Sequence, residues 1–254
     1  MASWADLEDE LAAWQVAGQA PTFWWRDDDA KAPSLELEPL LSLSNRHGIP
    51  AHLAVVPESI SPALAPRLAA CRDVHVLQHG FAHINHEPKG LGASEIGPSR
   101  ALALQLADLR EGWQRLVSAD LPNLVPCLVP PWNRIADKTL AELPQLGYRF
   151  ISAFEGPTST MHVKGLMQVH AHVDPMRWKQ GGRFRGAEAT LDLFLNHLGA
   201  RRRGDVPVDE PTAFLTHHLQ TGDDIWVFVD ELFNRMTRQG IARWIRLASL
   251  DQSG

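Results

Sequence analysis

The segment Thr22-Phe23-Trp24-Trp25-Arg26-Asp27-Asp28-Asp29 (TFWWRDDD, residues 22–29) carries much of the information about the fold and chemistry of this chain. Residues 22–26 are rich in aromatic side chains, which is typical of a buried β-strand. The three aspartates that follow repel one another, and placing their charge against an apolar strand end is costly unless a cation offsets it. The segment therefore predicts either a solvated acidic loop or a site where Arg26 and a metal ion compensate the carboxylates.

Short β-like runs alternate with amphipathic helical stretches along the rest of the chain. Further strands are predicted at residues 49–56, 74–78, 124–129, 148–153, 166–173 and 212–216. Helices are predicted at residues 35–46, 63–71, 99–117, 138–146, 187–198 and 225–236, and Gly48 is expected to cap the first of them. Alternating β and α units imply parallel strands joined by right-handed crossovers. A TIM-like barrel of about seven or eight strands is expected, with an open doubly wound sheet as the alternative.

The composition excludes several functional classes. With 44% hydrophobic and 21% charged residues, the chain has the balance of a globular protein with a sizeable core. A net charge of −6 argues against a nucleic-acid partner, and the Arg201-Arg202-Arg203 cluster is interpreted as a basic helix end. Cys71 and Cys127 give neither a disulfide framework nor a cysteine zinc motif. The acidic N-terminal segment and the lack of a long apolar run predict a cytoplasmic protein without a membrane span.

Polar, chemically capable side chains follow many of the predicted strands. They are His79, His83 and His86 after the third strand, Pro130-Pro131-Trp132-Asn133 after the fourth, His172 and Asp174 at the end of the sixth, and His217-His218 after the last. In barrels and open α/β sheets alike, functional residues gather at the C-terminal ends of the strands. These side chains are therefore expected to meet on one rim.

The pair His79 and His83 is the first candidate for metal binding. Two histidines four residues apart share one face if the chain turns helical there, so both imidazoles can reach one ion. With 12 histidines in the chain, two hydrogen-bonded histidines at this spacing are the alternative. The aspartate cluster favours the metal, because two histidines and one aspartate are a common catalytic ligand set. A neighbouring aspartate would stay free as a general base.

Taken together, Asp28-Asp29, His79-xxx-His83 and Leu215-Thr216-His217 resemble the first, second and fifth motifs of the polysaccharide deacetylase family (carbohydrate esterase family four, the NodB homology domain). The resemblance covers about residues 22–236. It implies one catalytic domain over residues 1–254, with a distorted (β/α) barrel of about seven parallel strands. It also implies a divalent metal, first Zn²⁺ and otherwise Co²⁺ or Ni²⁺, and a carbohydrate or small-molecule substrate.

The resemblance assigns roles to individual residues. It implies a catalytic base, Asp28, acting on a metal-bound water, and a general acid, His217, that protonates the leaving amine. The three implied metal ligands are Asp29, His79 and His83. The Asp28/Asp29 register is favoured because Arg26 then stands where the family has a small polar residue or an arginine. The Asp27/Asp28 register, and His218 in place of His217, remain alternatives.

Two motifs depart from the family's pattern. Val129 stands where the third motif has an arginine that pairs with the catalytic aspartate, and Arg26 or Arg134 is the hypothetical substitute. The fourth motif is only faintly echoed in residues 172–178. The residues predicted to bind substrate are Arg26, Pro131, Trp132, Asn133 and Trp178, and a place in the core is an equal alternative for both tryptophans. Glu95 and Arg100 are interpreted either as substrate contacts or as a solvated helix start.

The sequence thus resembles a divergent, intracellular-type branch of the family. The predicted function is that of a metal-dependent hydrolase that removes an N-acetyl or other acyl group from an amino sugar or glycan precursor. The missing motif-three arginine favours one alternative, a catalytically impaired metal- and glycan-binding protein of the same fold. A hydrolase of the same fold acting on a non-sugar amide, such as a purine-ring amide, is the other.

Overall fold

The computed structural model describes residues 2–154, 162–238 and 240–252. The α-helices, in chain order, are α1 (Trp4–Val16), α2 (Leu37–His47), α3 (Leu64–Ala69), α4 (Leu102–Ser118), α5 (Asp137–Leu140), α6 (Ala187–Arg203) and α7 (Asp223–Arg238). The strands are β1 (Thr22–Ala30), β2 (Ala51–Val55), β3 (Val74–His79), β4 (Leu124–Val129), β5 (Phe150–Ile151), β6 (Met167–Gln168), β7 (Met176–Arg177), β8 (Arg183–Phe184), β9 (Thr212–Thr216) and β10 (Arg243–Trp244). Short 3₁₀ segments lie at Pro57–Ser59, Pro131–Asn133, Leu143–Leu146, Trp178–Gln180 and Leu247–Gln252.

The main sheet is parallel. Across the described ranges it has eight strands in the order β10-β1-β2-β3-β4-β5-β6, with β9 also pairing with β1. The pairs β1–β9, β1–β10, β3–β4, β4–β5 and β5–β6 all run parallel, whereas β7 and β8 form a separate antiparallel pair. Parallel strands with intervening helices confirm the predicted fold class, a distorted (β/α) barrel of about seven parallel strands.

The chain divides into two compact units, which are described separately. The first unit is built from Met1–Asp27, Ser34–Ala51 and Ala171–Ser253, and the second contains Asp28–Pro33 and His52–His170. That the whole chain forms one catalytic domain remains a prediction. Among the described helices, none has both the length and the apolar character that crossing a bilayer requires.

The core of the first unit forms where β1 and β9 run side by side. Trp24 is in register with Ala213 and Trp25 with Phe214, and all four side chains are buried. Helix α7 packs over them, so that the Trp25 and Phe233 rings meet edge to face with centroids 4.8 Å apart. This burial explains the aromatic character of residues 22–26, since each large ring removes much apolar surface from water.

In the second unit, a buried hydrogen-bond network holds the end of β3. The Gln78 side-chain amide donates to the carbonyls of Gly80 (2.9 Å) and Leu109 (3.1 Å), and the Tyr148 hydroxyl donates to Gln78 Oε1 (2.7 Å). Burial raises the pKa of Tyr148 well above its usual range, so the phenol keeps its proton and acts as a donor. The network fixes the backbone on both sides of His79, which is the last residue of β3.

Several element boundaries differ from the sequence-based predictions. The first strand does not stop before the aspartates but continues to Ala30, so the acidic run belongs to β1. The predicted helix at 138–146 is split into α5 and a 3₁₀ turn that contains Pro144, which has no N–H to continue an α-helix. The strands predicted at 148–153 and 166–173 shrink to two residues each. Helix α1 and strand β10 were not predicted.

Two helix ends predicted from the sequence are confirmed, one from a glycine and one from a cluster of arginines. Helix α2 ends at Gly48, whose φ of 64° is the left-handed conformation expected of a C-cap glycine. Helix α6 runs through the three arginines to Gly204, so the basic cluster lies in its last turn, where positive charge is favourable.

Tyr148→Phe is expected to lower the free energy of unfolding by about 1–3 kcal/mol, because it leaves a buried Gln78 oxygen without its donor. Urea denaturation followed by circular dichroism measures the change. An unaltered unfolding midpoint would show that the network does not hold β3.

Candidate metal centre

The three aspartates of β1 occupy three different environments. Successive side chains of a strand point to opposite faces, so adjacent carboxylates need not share surroundings. Asp27 and Asp28 are buried, whereas the Asp29 side chain keeps 20% of its exposure. Asp29 also has a positive φ of 75°, a conformation uncommon for residues with a side chain.

Asp29, His79 and His83 bring three ligand atoms together in the second unit. Asp29 Oδ1 lies 3.2 Å from His79 Nε2 and 3.4 Å from His83 Nε2. Metal bonds of 2.0–2.1 Å in a tetrahedral site place neighbouring ligand atoms about 3.3–3.4 Å apart. The spacing of these atoms therefore fits a tetrahedral divalent metal, and the predicted ligand set is brought together.

The hydrogen bonding of His79 strengthens this fit. Its Nδ1 lies 3.0 Å from the Val129 carbonyl oxygen, which can only accept, so Nδ1 carries a proton. In the neutral ring, Nε2 then presents a lone pair to the Asp29 carboxylate oxygen. Two facing lone pairs repel unless a proton or a metal ion lies between them, and an imidazole held by a carbonyl is the usual form of a metal-ligating histidine.

His83 is presented by an irregular turn, so the two histidines approach each other without the helical turn that was considered for their spacing. Gly80 and His83 have φ values of 53° and 58°, so both are left-handed and no helical turn forms. The Trp132 ring packs on the His83 ring with centroids 4.2 Å apart. Burial lowers the pKa of His83, and His79 lowers it further, against the opposing effects of Asp29 and Glu95. The neutral imidazole that a metal requires is thus favoured.

His79→Ala and His83→Ala are each expected to lower bound metal by about tenfold or more, because each removes one of three ligands. Metal content after reconstitution with Zn²⁺ is measured by mass spectrometry. His86→Ala is the matched control, since His86 is exposed in the same loop. Full metal stoichiometry in either variant would remove that histidine from the site.

Asp27 belongs to a separate buried network in the first unit. Its Oδ2 accepts the Thr216 hydroxyl (2.6 Å) and the His218 backbone N–H (3.0 Å), and its Oδ1 lies 2.5 Å from His218 Nδ1. The Trp25 indole donates to the same threonine hydroxyl (3.0 Å). Because Asp27 and His218 satisfy each other inside the fold, the network favours Asp28/Asp29 over the alternative register, and His217 over His218.

Asp27→Asn and Asp29→Asn should have opposite consequences. Asp27→Asn is expected to lower the free energy of unfolding by about 1–3 kcal/mol, because it weakens the buried hydrogen bonds of the carboxylate to Thr216 and His218. It is expected to leave the metal stoichiometry unchanged. Asp29→Asn is expected to reduce bound metal while changing the stability of the metal-free protein little. Chemical denaturation measures the stability of both variants, and elemental analysis measures their metal content. Loss of metal in Asp27→Asn would favour the alternative Asp27/Asp28 register.

A second cluster of the first unit surrounds His217. Asp174 accepts from the Trp178 indole N–H (2.7 Å) and from the Met176 backbone N–H (2.7 Å). The Trp178 and His217 rings meet edge to face with centroids 4.6 Å apart. Burial raises the pKa of Asp174, and the charge of His217 acts in the opposite direction. Asp174 and Trp178, which both belong to the segment with the faint fourth motif, thus contact each other beside the predicted acid.

The residues predicted to bind substrate differ in their access to solvent. Trp178 is 47% exposed, which excludes the core alternative for it, and Trp132 and Asn133 are half-buried. Pro131 and Arg26 are buried, and the complete burial of Arg26 argues against direct substrate contact.

Arg134, one of the two hypothetical substitutes for the motif-three arginine, donates from its guanidinium to the Ala93 carbonyl (2.8 Å). Substitution by Arg26 or by Arg134 stays a prediction. Arg100 pairs with Asp108 at 2.5 Å, so it belongs to the start of α4.

A second group of ligand-type side chains, not singled out from the sequence, is formed by His172, His197 and Glu210. His172 Nδ1 accepts the Ala213 N–H (3.0 Å), so the neutral ring carries its proton on Nε2, which faces Glu210 Oε1 at 3.2 Å. The two histidine rings stack with centroids 3.6 Å apart, so their lone pairs lie in nearly parallel planes and do not meet at one point. Burial, with His172 and Arg201, lowers the pKa of His197 to about 2. We therefore interpret this group as a stacked and hydrogen-bonded network of the first unit.

Comparisons with known proteins identify the fold. No family model and no curated protein sequence matches the chain. A solved structure from Mycobacterium smegmatis, assigned to the polysaccharide deacetylases, aligns with a TM-score of 0.66 at 13% identity over 92% of this chain and 90% of that one. The peptidoglycan deacetylase PdaC from Bacillus subtilis aligns with a TM-score of 0.57 at 13% identity over 92% and 91% of the two chains.

A mutant of a carbohydrate esterase family 4 pseudoenzyme, with restored enzymatic activity, also aligns with this chain. Its TM-score is 0.55 at 13% identity, covering 88% of this chain and 65% of that one. The resemblance to polysaccharide deacetylases inferred from the motifs is confirmed at the level of the fold. At such identities a likeness speaks for the fold and not for the activity.

Proposed function

We propose that this chain is a metal-dependent deacetylase that hydrolyses the amide of an N-acetylated or otherwise N-acylated amino sugar. The observation that carries the proposal is the convergence of Asp29 Oδ1 with His79 Nε2 and His83 Nε2 at 3.2 and 3.4 Å. The shared fold with polysaccharide deacetylases supports the same reaction class, and Zn²⁺ is the proposed ion because two imidazoles and a carboxylate suit it.

The proposed reaction needs a base, an acid and a stabilised oxyanion. When bound, the divalent cation supplies a Lewis acid that acidifies water and polarises the acyl carbonyl. Asp28 removes the proton from the attacking water; it directly follows Asp27 and precedes the ligand Asp29 in β1. The backbone N–H groups near Trp132 help to stabilise the oxyanion. His217 gives a proton to the leaving nitrogen.

The surroundings of His217 suit a general acid. The Asp174 carboxylate acts electrostatically on His217 and is itself held by Trp178. The Trp178 ring contacts His217 edge to face, so the imidazole lies between an aromatic ring and a carboxyl group that can orient it. The exposed face of Trp178 is proposed to stack on the sugar ring.

The decisive assay measures acetate release from a panel of N-acetylated mono- and oligosaccharides and nucleotide-linked amino sugars, with Zn²⁺ or Co²⁺ added. Asp28→Asn and His217→Ala are expected to lower kcat by about 10²–10⁴-fold with full metal content, because each removes an acid–base group and no ligand. His86→Ala serves as the active control. Undiminished turnover in Asp28→Asn would exclude the proposed base.

A catalytically impaired glycan-binding protein is the second candidate, favoured by Val129 in place of the motif-three arginine. If no substrate of the panel is hydrolysed while metal and acetylated glycans still bind, this candidate replaces the deacetylase. Turnover of non-sugar amides alone would point to a different substrate class on the same fold. The cytoplasmic location stays a prediction.

A further inference from the structure

We infer that Glu95 is a positioning residue of the metal centre, which holds the turn between the two histidine ligands by its carboxylate. The inference rests on the proposed metal-dependent function. Glu95 is 2% exposed, although a glutamate in a loop before a helix is ordinarily solvated. It was interpreted from the sequence as a substrate contact or a solvated helix start, and its burial rules out the solvated helix start.

Both carboxylate oxygens of Glu95 are used on the backbone of the turn. Oε2 accepts the Phe81 N–H (2.9 Å) and Oε1 accepts the Ala82 N–H (2.7 Å). These are the two residues immediately before His83. Charge-assisted bonds of this kind are about twice as strong as neutral ones, and here two of them orient consecutive peptide planes. The orientation of His83 therefore depends on Glu95.

The turn is shaped to admit this carboxylate. A Cβ added at Gly80 would lie 2.0 Å from Glu95 Oε2 and 2.6 Å from the Pro131 ring, so only glycine fits between them. Gly80 also has a φ of 53°, which residues with a side chain rarely adopt. The glycine after His79 is thus required by the approach of Glu95 as well as by the turn.

Glu95 is itself anchored to the loop that follows β4. Ile96, its neighbour, forms a parallel bridge with Ile135, and the Ala136 N–H donates to the Ile96 carbonyl (2.8 Å). The Ser94 hydroxyl donates to the Arg134 carbonyl (3.1 Å). Glu95 therefore links the histidine-bearing turn to the segment that carries Trp132, whose ring packs on His83.

Charge gives Glu95 a second effect on the site. A divalent ion held by one carboxylate and two neutral imidazoles keeps one positive charge in a partly buried place, where the proposed base Asp28 is the first buried carboxylate to counter it. A second buried carboxylate beside the ligand turn offsets that charge without joining the coordination shell. An uncharged side chain of the same shape would keep the volume and lose this effect.

Glu95→Gln is the direct test, with Glu87→Gln as the matched control. Glu87 is also buried in this loop and accepts two bonds, from the Ser99 N–H (3.1 Å) and the Ser99 hydroxyl (2.5 Å), but it holds no ligand turn. We expect Glu95→Gln to weaken metal binding by about 10–100-fold, and Glu87→Gln to leave it within about twofold of the wild type. Affinity is measured by Co²⁺ absorption titration against a competing chelator.

Melting of the metal-free variants separates positioning from general destabilisation. If Glu95 only stabilised the loop, both variants would melt lower and both would keep their metal affinity, which would overturn the inference. Glu95→Asp, which retains the charge on a shorter stem, should recover part of the lost affinity. If the wild type bound neither Co²⁺ nor Zn²⁺, the proposed metal-dependent function would be contradicted. This result differs from the one that would contradict only the role of Glu95.

Discussion

Two imidazole nitrogens that approach one carboxylate oxygen to 3.2 and 3.4 Å set the central constraint on this protein. The carbonyl of Val129 fixes a proton of His79 on Nδ1, so in the neutral ring the nitrogen facing Asp29 carries a lone pair. That lone pair is available to a cation, and the two distances to Asp29 match the edge lengths of a small tetrahedral site. The surrounding turn, the glycine after His79 and the buried Glu95 are explained by the need to hold these three atoms.

The aspartate run shows how one strand serves several purposes. The Asp27 carboxylate is hydrogen-bonded to Thr216 and His218 inside the fold. Asp29 departs from the regular strand conformation, and its carboxylate faces the histidines. Asp28 stands between them in the chain, buried and next to the proposed ligand Asp29. The three aspartates differ in their surroundings because side chains alternate along a strand and because Asp29 has a positive φ. None of the three can therefore take the place of another without a change in the backbone.

Much of this could be predicted from sequence, because the relevant signals are periodic or ordered. Alternating strands and helices predicted the parallel sheet, and the spacing of His79 and His83 predicted their convergence. The geometry between those histidines could not be predicted, since the turn depends on Glu95, which is distant in sequence and looks like a solvated residue. The extent of β1 was missed because three aspartates are atypical of a strand, and only tertiary contacts make them tolerable there.

Backbone strain offers independent support for a functional site in the second unit. Six residues other than glycine have a positive φ among those that the structure describes. Asp120 and Asn123 lie between α4 and β4, and aspartate, asparagine and histidine all tolerate this conformation better than other residue types. The remaining four are two proposed ligands, Asp29 and His83, and the consecutive residues Trp132 and Asn133; of these the bulky Trp132 is the least tolerant type, and it packs on His83. Each such residue costs about 1–3 kcal/mol, a strain that persists only where surrounding contacts over-determine the conformation. Its concentration around three convergent ligand atoms argues that this turn is maintained for binding, because a surface loop under no such demand would relax.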